Sequence, residues 1–383
     1  MIPDQCRAFM DMNPQVEIIA QSSDIRCYTD QEYRDAGVRV EDNIHDCHVL
    51  LGIKEVPIDR IIPNKTYLFF SHTVKMQEYN RELLRQARDK NIRLIDYELL
   101  TDEHGVRVIA FGRYAGIVGA YNGLLTFGKR YNLFDLRPAN QCKDFDDLKT
   151  EFEKVALPNI RIVLTGGGRV AKGAMEVLNG IGIKKVSAGE FVSGDFNEPV
   201  YTQLNSRDYY ARKDGEPFSR KEFFSDPSGY ESHFMDFANV ADILIAGAYW
   251  DPKAPPLFLR EECMGNGFHI KVIADITCDI EGSMPSTKKP GTIDDPVYDY
   301  DPDEDAVEPP FSDEANITVM AVDNLPNELP RDASRDFGHE LADRVIPALL
   351  SRGETELISR ATVVRNHKIQ ERFKYLEEWL DSQ

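Results

Sequence analysis

The chain has 383 residues, enough for two or three domains, and 42% hydrophobic with 29% charged residues is an ordinary globular composition. Against 45 Lys+Arg stand 65 Asp+Glu, a formal charge of −20. Such a surface repels polyanions, so neither nucleic acid nor an anionic membrane is expected as a partner.

The chain opens on Met1-Ile2-Pro3-Asp4-Gln5-Cys6, without the basic-then-apolar pattern of a secretory signal. No later run approaches the ~20 apolar residues of a membrane span. Cys6, Cys27, Cys47, Cys142, Cys263 and Cys278 form no CxxC pair and read as reduced thiols of a cytoplasmic protein, with no metal site. Short apolar runs predict strands over 48–53, 66–70, 92–95 and 107–111. Between them, 76–91 places Tyr79, Leu83, Leu84 and Ala87 on one helical face, making a βαβ crossover. A second strand series is predicted over 161–165, 243–246, 271–274 and 317–321. Two polar stretches interrupt it: 193–239 reads as an insertion, and 285–313, rich in Pro and acids, as a surface loop. The tail from Arg331 is helical, with Ala333, Phe337, Leu341, Val345 and Leu349 at i+4 steps, and ends in a charged helix over 368–380. The pattern predicts an α/β protein of two Rossmann-like domains with a cleft between them, built on doubly wound parallel sheets. A substrate domain is expected over 1–121 plus 321–383, and a dinucleotide-binding domain over 122–320.

The strongest motif is Thr165-Gly166-Gly167-Gly168-Arg169-Val170-Ala171, a GxGxxA turn after a strand and before a helical pattern. Gly166 permits the tight turn, Gly168 lets backbone approach a pyrophosphate, and Ala171 lets the helix sit close to the sheet. Glu190 lies 22 residues past Gly168, about where a carboxylate meets ribose hydroxyls. A carboxylate there favours NAD, while the neighbouring Lys184 and Lys185 leave NADP as the alternative.

In the first half, Lys54 and His72 each follow a predicted strand, where α/β chemistry gathers. A lysine there can bind a carboxylate or exchange a proton, and a histidine can work as acid and base near neutral pH. Lys75, Gln77, Glu98, Arg107 and Phe111 follow within the same region. If the strands are parallel neighbours, Lys54, His72 and Glu98 converge on one rim, and the cations suit a substrate with several carboxylates. Cys47 beside His48 is no nucleophile pair, because adjacent strand residues face opposite ways.

The segment Val49-Leu50-Leu51-Gly52-Ile53-Lys54-Glu55-Val56-Pro57 resembles the lysine motif of alanine dehydrogenases and lysine-forming saccharopine dehydrogenases. Phe69-Phe70-Ser71-His72-Thr73-Val74-Lys75-Met76-Gln77 resembles the histidine motif of the saccharopine branch, above all the lysine–2-oxoglutarate reductase half of aminoadipic semialdehyde synthases. Stretches around Glu98, Arg107–Gly116, Thr165–Ala174, Ala246–Trp250, Val272–Gly282 and Val322–Pro326 continue the match. The resemblance implies that Lys54 and His72 are the acid–base pair and that Asp279 is an active-site acid. It implies substrate contacts at Lys75, Gln77, Glu98, Arg107 and Phe111. It implies cofactor contacts at Gly166, Gly168, Arg169, Val170, Glu190, Ala248, Tyr249, Trp250, Ile276, Thr277, Cys278 and Asp279, and leaves Asp275 structural. The implied activity is reduction by a nicotinamide cofactor of the imine formed from lysine and 2-oxoglutarate, giving saccharopine. The implied partners are small amino and keto acids, and a homo-oligomer is compatible with the family. Alanine dehydrogenase is the rival, but it carries an apolar stretch where Lys75 and Gln77 stand. Family members also begin with a strand and a substrate-binding Arg that precede the first residues here. On that ground a non-catalytic nucleotide-binding homologue is the expectation from another class.

Overall fold

The computed structural model describes residues 1–381, so the last two residues of the expected substrate domain, 382–383, lie outside the described residues. It divides into two units, Met1–Ala110 with Ser334–Gln383, and Phe111–Ala333.

The first unit begins with helix α1 (Pro3–Met12), which has Pro in its first turn and buries Cys6 and Phe9. Strand β1 (Ile19–Gln21), helix α2 (Asp30–Asp35) and strand β2 (Arg39–Glu41) follow, and β1 pairs parallel with β2. Thr29 and Glu32 form a reciprocal capping box that starts α2. Ile2, Cys6, Tyr28, Tyr33 and Val38 fill this small module. Strands β3 (Val49–Leu51), β4 (Thr66–Phe69) and β5 (Arg93–Asp96) then pair in parallel, in that order. Helix α3 (Arg81–Asp89) crosses between β4 and β5 and buries Leu83, Leu84 and Ala87. Tyr79 does not share that face: it stands exposed in a short 3₁₀ turn before the helix.

The predicted strand over 107–111 does not form. Arg107 makes an isolated bridge to Thr101, and the chain enters helix α4 (Gly112–Arg130) directly. The free edge of β5 is taken instead by a strand from the tail, so no edge remains for the 107–111 segment. Val108 and Ile109 are buried without a ladder. The expected domain boundary at residue 121 falls inside α4, which is one continuous helix.

The second unit holds α4, α5 (Phe145–Lys149), β6 (Arg161–Thr165), α6 (Arg169–Ile181), β7 (Lys184–Lys185), α7 (Ala188–Ser193), β8 (Val200–Leu204) and α8 (Ser206–Tyr209). It continues through β9 (Tyr210–Arg212), β10 (Tyr230–Ser232), β11 (Ile243–Ala246), β12 (Val272–Asp275), β13 (Val297–Asp301), β14 (Ala306–Glu308) and β15 (Ile317–Met320). Eight of these strands form one sheet in the order β14-β13-β15-β12-β11-β6-β8-β7. The six from β15 to β7 run parallel, and β13 and β14 add an antiparallel edge. Strands β11, β12 and β15 are buried at every position, as a sheet covered on both faces demands.

Two sequence expectations are corrected here. The stretch 193–239 is not wholly an insertion, because β8 lies inside the main sheet; only the region around the antiparallel pair β9–β10 stands apart. The stretch 285–313 is not a bare loop, because it supplies β13 and β14. Asp299 within it is fully buried, accepting from Thr318 Oγ1 at 2.7 Å and the Ser312 amide at 2.8 Å, with the Arg130 guanidinium 3.7 Å away.

Helix α4 lies against α6 at backbone contact. A side chain at Gly116 would overlap the carbonyl of Val170, and one at Gly173 would overlap the carbonyl of Arg113. Arg113 then locks the pair with two hydrogen bonds to Glu176, at 2.7 and 2.8 Å.

The tail returns to the first unit. Phe337 packs edge-on against Tyr97, and β16 (Thr362–Arg365) pairs antiparallel with β5. The predicted charged helix over 368–380 is shorter than expected, because β17 (Lys368–Ile369) turns back on β16 and a helix resumes only at Tyr375–Asp381. Each large sheet is therefore parallel at its centre with an antiparallel edge.

Candidate active site

In the first unit, strands β4 and β5 end level, Phe69 opposite Asp96. The turns that follow carry His72 and Glu98. His72 takes a left-handed backbone, φ +53°, which a residue with a Cβ adopts only when its surroundings impose it. Its Nδ1 lies 3.3 Å from Glu98 Oε2, and its Nε2 lies 3.9 Å from Glu55 in the turn after β3. The Glu98 carboxylate is nearly buried and receives two cations, Lys75 at 3.2 Å and Arg107 at 2.9 Å. Burial works to raise the Glu98 pKa, but Lys75 and Arg107 outweigh it and hold the carboxyl below the usual glutamate range. Lys75 Nζ also stands 3.4 Å from His72 Nδ1. Lys75 and Arg107 are each about half exposed, at 47% and 52%, so a nearly buried acid orients two half-exposed cations.

The expected residues divide on this geometry. His72, Lys75, Glu98 and Arg107 form one cluster. Lys54 is exposed in the turn after β3 and makes no ion pair among the described residues. Gln77 is exposed too and accepts a hydrogen bond from Tyr79. Phe111 is the N-cap residue of α4, in the second unit. Sequence reading passed over Glu55; its place beside Lys54, past the end of a strand, was the available signal.

In the second unit the glycine turn is formed as its sequence requires. Gly166 has φ +99°, and a side chain there would press on the carbonyl of Gly247 at 2.9 Å. Gly168 is the N-cap of α6, and a Cβ there would meet nothing within 4 Å. Space therefore lies open above the first turn of α6, where backbone N–H groups point outward, and these residues fit a dinucleotide pyrophosphate. Ala171 is fully buried. Arg169 and Val170 face Gly112 of α4, and Val170 also approaches Gly247.

Ala248, Tyr249 and Trp250 follow β11 and line a small pocket, of about 20 Å³, with Thr165, Tyr209 and Tyr210. Tyr249 is exposed, while Trp250 donates its indole N–H to the Pro255 carbonyl at 3.1 Å. Ile276, Thr277, Cys278 and Asp279 follow β12. Buried Asp275 accepts from the Thr277 and Cys278 amides at 3.0 and 3.2 Å and from the Thr287 hydroxyl at 2.7 Å, so it fixes that turn. Burial, and then the charge of Asp275, push the Asp279 carboxyl upward. Burial also pushes the Cys278 thiol to about 12, well away from a reactive thiolate.

Glu190 is placed differently from the expectation. Strand β7, which precedes it, is the sheet edge, and β8 is the neighbour of β6. The Glu190 carboxylate is held in the capping box of α7, 2.6 Å from the Ser187 hydroxyl and 3.0 Å from its amide. Ser187 side chain and backbone hold it below the usual range. The residues that leave the strand next to the glycine turn are Asn205–Asp208. A side chain at Gly167 would run into the Asn205 amide oxygen.

One unit with a glycine turn at the head of a parallel sheet, and another with a histidine–carboxylate–cation cluster at its strand ends, define a two-unit α/β protein of the dinucleotide-oxidoreductase type of fold. The fold is that of L-alanine dehydrogenase: a solved structure of that enzyme superposes with a TM-score of 0.64 at 16% identity, covering 99% of this chain and 94% of that one. A transhydrogenase from Sinorhizobium meliloti superposes at 0.58. Residues 1–118 match the model of the alanine dehydrogenase/PNT N-terminal domain.

In sequence the chain is similar to the saccharopine enzymes. The mitochondrial alpha-aminoadipic semialdehyde synthase of Bos taurus is 29% identical over 94% of this chain, and the saccharopine dehydrogenase [NAD(+), L-lysine-forming] of Yarrowia lipolytica is 25% identical over 91%. The chain spans 44% of the bovine synthase and 87% of the yeast enzyme. No helix among the described residues is long and apolar enough to cross a membrane.

Proposed function

We propose that the chain is a nicotinamide-dependent amino-acid oxidoreductase of the lysine-forming saccharopine dehydrogenase type. The observation that carries this reading is the cluster in which buried Glu98 orients His72, Lys75 and Arg107. Likeness to the saccharopine enzymes along nearly the whole chain supports it.

The substrates of such a reaction, lysine and 2-oxoglutarate, join as an imine and leave as saccharopine, which carries three carboxylates. Lys75 and Arg107 are assigned to those carboxylates, since both cations stand about half exposed beside one another on Glu98. Glu98 offsets the repulsion between the two cations and sets their spacing. His72 is assigned to the protons: it protonates the carbinolamine oxygen as water departs, and it takes and returns the proton at nitrogen. Glu98 and Glu55 stand on either side of the ring. Lys54 joins it as a second proton carrier from the neighbouring turn. The dinucleotide, when bound, supplies the hydride. Gly166–Gly168 and the first turn of α6 hold its pyrophosphate, and Asp279 lies on the turn assigned to the nicotinamide side. Asn205–Asp208, leaving the strand beside β6, are assigned to the adenosine ribose, with NAD or NADP as cofactor. The protein is proposed to work in the cytoplasm, with no nucleic-acid or membrane partner.

The test is product identity. Incubated with NAD(P)H, lysine and 2-oxoglutarate, the protein should yield saccharopine by mass spectrometry. Alanine formed from pyruvate and ammonia, with no saccharopine, would favour the second reading, to which the alanine dehydrogenase fold lends support.

A further inference from the structure

Asp96 is the last residue of β5 and is fully buried. No role in binding or chemistry follows from its position in the strand, yet it is joined to both turns of the cluster. Its Oδ2 accepts the Ser71 hydroxyl at 2.6 Å, and its Oδ1 accepts the Glu98 amide at 2.8 Å. Ser71 in turn lies 2.9 Å from the Thr73 hydroxyl and accepts the Thr73 amide at 3.4 Å. Ser71 and Thr73 flank His72 on either side, and both are fully buried. One carboxylate therefore ties the turn after β4 to the turn after β5.

We propose that Asp96 is a positioning residue that holds His72 in its left-handed turn and keeps Glu98 opposite the imidazole. Three observations carry this. A buried carboxylate is costly unless its acceptor sites are filled, and here each oxygen takes a short hydrogen bond from the two turns in question. His72 at φ +53° needs neighbours that over-determine its conformation, and Ser71 and Thr73 supply them only while Asp96 anchors Ser71. The level strand ends, Phe69 beside Asp96, leave the reach from Asp96 to Ser71 no longer than one side chain.

The groups facing His72 are Glu98 and Lys75 at its Nδ1 side, Glu55 at its Nε2 side, and Phe70, whose ring stacks at 6.4 Å. Phe337 from the tail packs behind Phe70 and brings no charge. Burial raises the Asp96 carboxyl, and Ser71 and the Glu98 amide oppose that rise. The donors are arranged for the ionised form.

This inference rests on His72 as the proton carrier of the proposed reaction, but its primary readout does not. The ring protons of His72, assigned by comparison with His72→Gln, and its backbone HN–Hα coupling are measured by NMR at one pH in the full-length protein, in Asp96→Asn and in Ser71→Ala. Asp96→Asn keeps the shape but removes the charge and one acceptor. Its His72 ring resonances and backbone coupling are expected to move away from those of the parent, and those of Ser71→Ala to move in the same direction by less. With lysine and 2-oxoglutarate, kcat of both variants should fall about tenfold or more. The dinucleotide Kd should be unchanged. Should Asp96→Asn fail to fold, Ser71→Ala and Thr73→Val carry the test. An unshifted His72 in folded variants overturns the proposal. A shifted His72 in a protein that turns over no amino or keto acid leaves Asp96 as a positioning residue and overturns the functional reading instead.

Discussion

Glu98 is the side chain on which the cluster depends, because it touches all three of His72, Lys75 and Arg107. His72→Ala is expected to lower turnover by about 10²–10⁴-fold, the usual cost of losing a positioned acid–base group, with dinucleotide affinity unchanged; steady-state kinetics and a binding titration check both halves. Arg107→Ala should raise KM for the keto acid more than it lowers kcat, as removal of a carboxylate contact does. The residue types of this cluster were legible in the sequence: His72 and Glu98 each follow an apolar run that ends a strand, and Lys75 and Arg107 stand close by. Their connection was not. Glu55 and Asp96 escaped notice because a carboxylate beside a strand end looks the same whether it meets solvent or a neighbouring turn.

At the scale of elements, the seam between α4 and α6 and the order of the edge strands make separate claims. Gly116→Ala places a methyl group against the Val170 carbonyl with no flexible neighbour to give way. It should destabilise the second unit by about 1–3 kcal/mol, measurable by denaturant unfolding, while Gly353→Ala, with open space around it, should not. The strand order bears on the cofactor. Glu190→Ala should lower the melting temperature slightly through its capping box and leave dinucleotide affinity within about twofold. Asn205→Ala, beside the glycine turn, should weaken that affinity several-fold. Calorimetric titration of both variants decides between the two strand ends. The sequence pointed to Glu190 because counting residues past a glycine turn assumes that the next strand in the chain is also the next in the sheet. With β7 only two residues long, that assumption had nothing to correct it. Strands β13 and β14 were hidden for a related reason. Asp299 reads as a loop residue until Arg130, Thr318 and Ser312, all distant in the chain, are found around it.

Over each whole unit, the parallel centre of the sheets was readable from β-branched runs, and the antiparallel edges were not, because they depend on where the chain returns. Buried Glu328 gives the second unit a pH dependence of its own. Its carboxyl, satisfied by Asn122 at 2.8 Å, is pushed up by burial to about 7. A carboxyl raised on folding holds its proton more tightly in the folded state, so its contribution is complete below pH ~4.5 and is lost as the pH rises through about 7. The loss amounts to about 3 kcal/mol. Glu328→Gln should flatten that decline, and urea unfolding at pH 5 and pH 8 in parent and variant would show it.

The central claim is that the His72 cluster carries proton transfer for reduction of an amino-acid imine. Its most direct measurement is oxidation of NADH and of NADPH, followed by absorbance with lysine and 2-oxoglutarate together, for the parent protein and for His72→Ala. The account predicts oxidation that requires both substrates and falls by at least a hundredfold in the variant, with the dinucleotide still bound. Equal rates in the two proteins, or dinucleotide binding with no oxidation in the parent, would contradict it.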